Sequence, residues 1–256
     1  RYEEYPSIYK YQSSNQVIRE ALEHYGESGA GMVQSLKLEK KKMEVIGVYS
    51  PVGRTMKTTF ALTLGQILAK KRACLYLNLE AYSGFEYLME RKFEQTLGDL
   101  LYYLRLGSDQ LVTKMGSMVQ SINNLDYLPP VLSMEDIQST AAEEWIRLLQ
   151  QIIDYSNYDV IILDLGDSVS QLYQILEQCT RIYMPIRADP VSQAKIQQFE
   201  HTLQVWEKQA VLDRIRKIKP PYHRSTRSGT GYMDDLVWSE LGDYVREMIR
   251  KEWEDG

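Results

Sequence analysis

A chain of 256 residues, 44% hydrophobic and 25% charged, has the composition of a soluble globular α/β domain plus an extension, with enough apolar residues for a large core. No apolar run approaches the ~20 residues that cross a bilayer, and a net charge of −5 disfavours a nucleic-acid partner. Cys74 and Cys179 stand in apolar surroundings without a CxxC pair, and read as reduced core residues of a cytoplasmic protein, not as metal ligands.

Residues 1–42 read as an N-terminal extension and linker: a Tyr-rich start, helix spacing over Asn15–Glu27, a Gly-Ser stretch and a basic run from Lys37 to Lys42. The chain opens on Arg1 instead of Met, so more chain is expected upstream. Residues 43–256 read as one domain. Glu44 to Tyr49 form an apolar strand that enters a turn ending Lys57-Thr58-Thr59, after which Phe60, Ala61, Leu64, Ile67 and Leu68 follow helical spacing. Strand, loop, Lys-Thr and helix in this order suit a phosphate. Backbone N–H groups and the helix dipole meet the anion, Lys neutralises it, and a hydroxyl holds Mg²⁺. Gly53, Arg54, Thr55, Met56, Lys57, Thr58 and Thr59 are the candidate binding set. Two residues depart from the usual chemistry: Met56 carries a side chain where glycine would let the backbone close, and Pro51 has no N–H to donate.

Arg72 to Glu80 read as a strand buried on both faces, expected beside the loop strand, with Asn78 and Glu80 at its end. An acid there can orient an attacking water. Asn78 cannot take a proton, so Glu80 is the candidate catalytic residue, set against the plain alternative of a solvated strand-end Glu. Phe85–Leu106 and the stretch around Val112–Gln120 read as helical, Leu125–Ser133 as a short strand closed by two prolines, and Ser139–Tyr155 as a helix. Tyr158–Asp167 is the clearest buried strand. Asp164 at its carboxyl end is the second candidate catalytic residue and, with Thr58, a candidate for the water shell of Mg²⁺. Capping the next turn is the ordinary reading of Asp164, and the favoured one for Asp167.

A helix (Val169–Gln178), a strand (Arg181–Ile186), a helix (Val191–Lys208) and a strand (Ile215–Ile218) follow. The last helix, Leu236–Trp253, is more acidic than basic, so it is expected to pack on the protein body and not on a membrane surface. Arg214, Arg216, Lys217, Lys219, His223, Arg224 and Arg227 form an acid-free stretch. A flexible basic loop is its ordinary reading; nucleic acid, acidic lipid or a nucleotide base are the functional ones. Strands alternating with helices predict a three-layer α/β fold: a mainly parallel sheet with helices on both faces.

Together these residues resemble the MinD/ParA family of P-loop ATPases, whose loop reads Lys-Gly-Gly-x-Gly-Lys-Thr. The resemblance runs from about Lys42 to the C-terminus and is greatest to the TadZ/CpaE pilus-assembly branch. YKYQS, NQVIREAL, YSPVG, LYLNLE and YMDDLVWSELGDYVRE carry it. It implies a MinD/ParA-like P-loop NTPase fold with ATP and Mg²⁺ as cofactors. It implies Lys57 on phosphate, Thr58 and Asp164 on Mg²⁺ (Asp164 through water), and Asn78 and Glu80 in the two water-positioning places. Val52 stands where the family's signature lysine reaches across a dimer, and Arg54 is the nearby cation available to replace it.

The implied function is an ATP-binding switch, a weak or degenerate ATPase, that helps localise Tad/Flp pilus or secretion machinery. Its implied setting is a homodimer in the cytoplasm, recruited to membrane or cell pole through partners, with a receiver-like domain upstream. Two rivals stand beside it. One is a nucleotide-free pseudo-ATPase scaffold acting by protein–protein interaction, and the other a ParA-like nonspecific DNA binder using Arg214–Arg227. A bacterial tyrosine-kinase relative would carry a Tyr-rich tail, whereas the 19 tyrosines here are scattered.

Overall fold

Successive side chains of a strand enter opposite faces, and in the central strands both faces are apolar, so each strand needs cover on two sides. The computed structural model describes residues 43–107 and 111–254; the expected extension, 1–42, lies outside them. The strands are β1 (Glu44–Val48), β2 (Cys74–Leu79), β3 (Gln120–Ile122), β4 (Leu125–Tyr127), β5 (Val160–Leu165), β6 (Arg181–Pro185) and β7 (Ile215–Ile218). Among the described residues they form a seven-stranded sheet in the order β3-β4-β2-β5-β1-β6-β7. Every adjacent pair is parallel except β3–β4, a tight hairpin turned by Asn123 and Asn124 at positive φ.

The helices are α1 (Lys57–Leu68), α2 (Phe85–Leu88), α3 (Leu97–Arg105), α4 (Leu111–Met118), α5 (Met134–Ser139), α6 (Ala142–Tyr155), α7 (Leu172–Gln178), α8 (Pro190–Val205), α9 (Gln209–Arg214), α10 (Gly229–Trp238) and α11 (Glu240–Ile249). Side chains of α3, α4 and α6–α9 meet Leu75, Leu77, Ile161 and Leu163 in one core, while α1, α10 and α11 meet Tyr76, Val160, Ile162 and Tyr183 in the other. The three-layer expectation holds. Helix α1 is buried on nearly every side between the sheet and the α10–α11 pair, as a helix apolar all round should be. No helix among the described residues is long and apolar enough to cross a membrane.

Several element boundaries differ from the sequence reading. The run Phe85–Leu106 is two helices, because Glu90 takes a left-handed backbone and Thr96 starts α3 with a reciprocal capping box to Asp99. The helix expected over Ser139–Tyr155 begins only at Ala142 as α6, since Thr140 and Ala141 are extended, and Met134–Ser139 form a separate helix, α5, that was not expected. Gln120 belongs to β3 and not to the preceding helix, and β4 stops at Tyr127, ahead of the two prolines. The helix expected from Val169 begins only at Leu172, after Gln171 in a left-handed conformation. The expected C-terminal helix is interrupted at Ser239, which caps α11 by accepting from the Gly242 N–H at 3.4 Å, and ends in a π turn at Arg250–Glu254.

One topological expectation fails. The strand bearing Asn78 and Glu80 is not beside the loop strand, because β5 lies between β2 and β1. Asn78 therefore pairs in register with Asp164.

Candidate functional site

Strand parity assembles the site. Tyr76, Asn78 and Asp164 share the sheet face that α1 covers, and Asn78 and Asp164 are both fully buried. Asp164 Oδ2 accepts from the Tyr76 hydroxyl at 2.9 Å and from the Asn78 amide at 3.1 Å. The same amide nitrogen donates to Tyr76 Oη at 2.8 Å, and Asn78 Oδ1 accepts from the Glu80 N–H at 3.0 Å. Asn78 thus ties the end of β2 to the end of β5. Burial pushes the Asp164 carboxyl up to about 6; the adjoining Thr58 side chain draws it down, and the Glu80 charge adds to the rise. Oδ1 of Asp164 is buried and lacks a hydrogen-bond partner among the described residues.

The loop from β1 keeps a backbone shape suited to an anion in spite of its residues. Met56, immediately before α1, has φ 66° and ψ 31°, the left-handed region that glycine enters freely and other residues rarely do. Its side chain is half-buried and packs against the core on the α1 face. The first helical N–H to find a carbonyl is that of Phe60, bonded to Met56 O at 2.8 Å. The N–H groups of Lys57, Thr58 and Thr59 have no such partner among the described residues. Val52 is buried, Gly53 and Arg54 are exposed at the turn, and Arg54 is itself left-handed, with φ 56°. Thr55 is buried with its hydroxyl on Val52 O at 3.3 Å, and the Thr59 hydroxyl lies 3.4 Å from that of Tyr232.

Lys57, expected on a phosphate, is held by protein groups. Its Nζ lies 2.8 Å from Glu80 Oε1, donates to Leu165 O at 3.0 Å, and sits 5.6 Å from the centre of the Tyr49 ring. The Tyr49 hydroxyl in turn donates to Asp167 Oδ1 at 2.9 Å, so Asp167 anchors this wall. The structure therefore brings Met56, Lys57, Thr58, Asn78, Glu80 and Asp164 together. Sequence reading missed Tyr76, Tyr49 and Gly166. Tyr76 was detectable, since it stands two residues before Asn78 and must share its face.

The donor set bears on a cation. Among the described residues no group of three or more His, Cys, Asp or Glu side chains is arranged to hold a metal. A buried carboxylate oxygen without a partner beside a threonine hydroxyl does fit Mg²⁺, which takes few protein ligands and fills its shell with water and phosphate.

The basic stretch is largely committed elsewhere. Arg214 donates to Glu177 O and Cys179 O at 2.9 and 3.0 Å, Lys217 pairs with Glu200 at 2.6 Å, and Arg227 pairs with Asp235 at 2.8 Å.

No family model matches the sequence, and no curated protein matches it. Solved structures do. A ParA family ATPase from Chlorobium tepidum TLS is 21% identical with a TM-score of 0.59, over 77% of this chain and 81% of that chain. A cobyrinic acid a,c-diamide synthase from Mycobacterium smegmatis, with bound ADP and magnesium, is 15% identical with a TM-score of 0.59, over 83% and 96%. The MinC:MinD cell division protein complex of Aquifex aeolicus gives 16% identity and a TM-score of 0.52, over 76% of each chain. At these identities the likeness establishes the fold, that of the ParA/MinD P-loop NTPases.

Proposed function

We propose that this chain is an ATP-binding switch of the MinD/ParA type with slow hydrolysis. The observation that carries the reading is the loop: Met56 supplies the left-handed corner, and the N–H groups of Lys57, Thr58 and Thr59 lack partners among the described residues. In this reading those amides and the Lys57 ammonium hold phosphate oxygens. Thr58 and, through water, Asp164 would hold Mg²⁺, which would neutralise charge at the phosphates. Tyr76 and Asn78 keep Asp164 in place by binding its other oxygen. Glu80 orients the attacking water. Turnover is slow because Asn78 is spent on Asp164 and takes no proton.

Exposed Arg54 is proposed as the cation that crosses to a second copy, since Val52 at the signature position is buried. A protein partner in Tad/Flp pilus or secretion machinery, with recruitment to membrane or pole through it, rests on the resemblance of YSPVG, LYLNLE and YMDDLVWSELGDYVRE alone.

A nucleotide-free scaffold is the second reading, favoured by the engagement of Lys57 with Glu80 and by Pro51 in the loop. Calorimetric titration with MgATP separates the two. Saturable binding in the wild type, lost in Lys57→Ala, supports the switch, and no binding in either supports the scaffold. The DNA-binding reading is disfavoured by the ion pairs and carbonyl contacts that occupy Arg214, Lys217 and Arg227.

A further inference from the structure

We propose that Glu80 is an internal stand-in for a phosphate: it holds Lys57 in the nucleotide-free protein, and nucleotide binding releases it toward the reacting water. The inference rests on the nucleotide-binding reading above. Among the described residues three groups contact the Lys57 ammonium, and one of them is an anion. Glu80 Oε1 is 2.8 Å away, Leu165 O 3.0 Å, and the Tyr49 ring centre 5.6 Å. Of the neighbouring carboxylates, Asp167 already takes the Tyr49 hydroxyl at 2.9 Å, and Asp164 takes Tyr76 and Asn78 on Oδ2. Glu80 is therefore the group an incoming phosphate must displace.

The seat of Glu80 is built on purpose-shaped backbone. Its N–H is fixed by Asn78 Oδ1 at 3.0 Å. Opposite, Gly166 leaves room that no other residue would. A Cβ there would lie 2.7 Å from Glu80 Oε2, 3.0 Å from Glu80 Cα and 3.1 Å from Leu79 O. The Lys57 side chain is 12% exposed and that of Glu80 26%, so the pair is partly shielded from solvent and salt.

A phosphate oxygen arriving at Lys57 and the free amides puts two anions on one ammonium. Like charges at that separation cannot share it without cost, so the carboxylate, the more exposed and mobile of the two, leaves. Its freed oxygens then face the site as a proton acceptor for water. Ligand entry and the arming of Glu80 become a single exchange of partners on Lys57.

The test compares MgATP affinities of wild type, Glu80→Gln and Glu80→Asp by calorimetric titration. Glu80→Gln removes the anion, whereas Glu80→Asp keeps it but is one methylene too short to reach Lys57 from its seat. Both variants are expected to bind MgATP at least about threefold more tightly than wild type, because neither holds the ammonium against the ligand. Tightening in Glu80→Gln with Glu80→Asp equal to wild type would mean plain charge repulsion and would overturn the latch. If wild type binds and loses binding in Lys57→Ala, while both Glu80 variants match wild type or bind more weakly, the latch falls and the switch stands. If none of these proteins binds, both fall.

Discussion

At Asp164 two demands conflict. The carboxyl must be ionised to hold the water of a cation, yet burial raises it from 3.8 to about 6 in the free protein. Between those values the folded state holds a proton that the unfolded chain has released. The free protein should therefore lose stability as pH rises from about 4 to about 6, with the cost fully present above that window. Asp164→Asn removes the titrating group. Urea denaturation at pH 8 is expected to show the variant about 3 kcal/mol more stable than wild type, with the difference shrinking toward pH 4. Parallel pH profiles for the two proteins would contradict this account of Asp164. A buried carboxylate that costs the fold stability is what a group kept for function looks like.

Met56 shows what sequence reading could and could not settle at this scale. A methionine in place of a loop glycine was legible as a departure, but its consequence was not. The expectation of crowding assumed a side chain turned toward the anion, whereas the left-handed backbone carries it onto the α1-side core. Lys57 was legible as the charged member, while its partner Glu80 depends on the closeness of β2 and β5 that Gly166 permits, which no local pattern encodes.

Among the elements, the junction of α10 and α11 bears most directly on the site, because both helices cover α1. A Cβ on Gly242 would lie 2.1 Å from Val237 O, a backbone atom that also accepts from Arg246 Nη2 at 2.6 Å. Nothing there can yield cheaply. Gly242→Ala should force the two helices apart and cost about 2–3 kcal/mol in urea denaturation, and a loss below about 0.5 kcal/mol would contradict the packing. Thr96, with its side chain on the Gly98 N–H and its own N–H on Asp99, explains why the predicted helix over residues 85–106 is broken. Thr96→Ala should cost about 1 kcal/mol, read as a lower urea midpoint with an unchanged slope. The box was present in the sequence as Thr96-x-x-Asp99, and helix periodicity alone overrode it. The missed hairpin was signalled as well, by Asn123-Asn124 between short apolar runs.

For the whole molecule, the three-layer fold was legible because the central strands are apolar on both faces and alternate with helices. Strand order was not, since parallel neighbours are set by crossovers that leave no local trace. That order decided the chemistry of the site: with β5 between β1 and β2, Asn78 faces Asp164 and supports it instead of serving water. Charge acts at this scale too. With a net charge of −5 and three cations of the basic stretch already engaged, the full chain is expected to leave nonspecific duplex DNA unshifted at low salt. A salt-sensitive shift abolished by charge reversal at Lys219, Arg224 and His223 would argue for the DNA reading instead.

The central claim, that the turn after β1 receives phosphate on its main chain, is tested most directly by amide NMR of the protein titrated with MgATP. The N–H resonances of Lys57, Thr58 and Thr59 should move together and saturate, and the same titration of Lys57→Ala should leave Thr58 and Thr59 in place. Saturation elsewhere in the chain with these three amides unmoved, or no movement at millimolar MgATP, would contradict it.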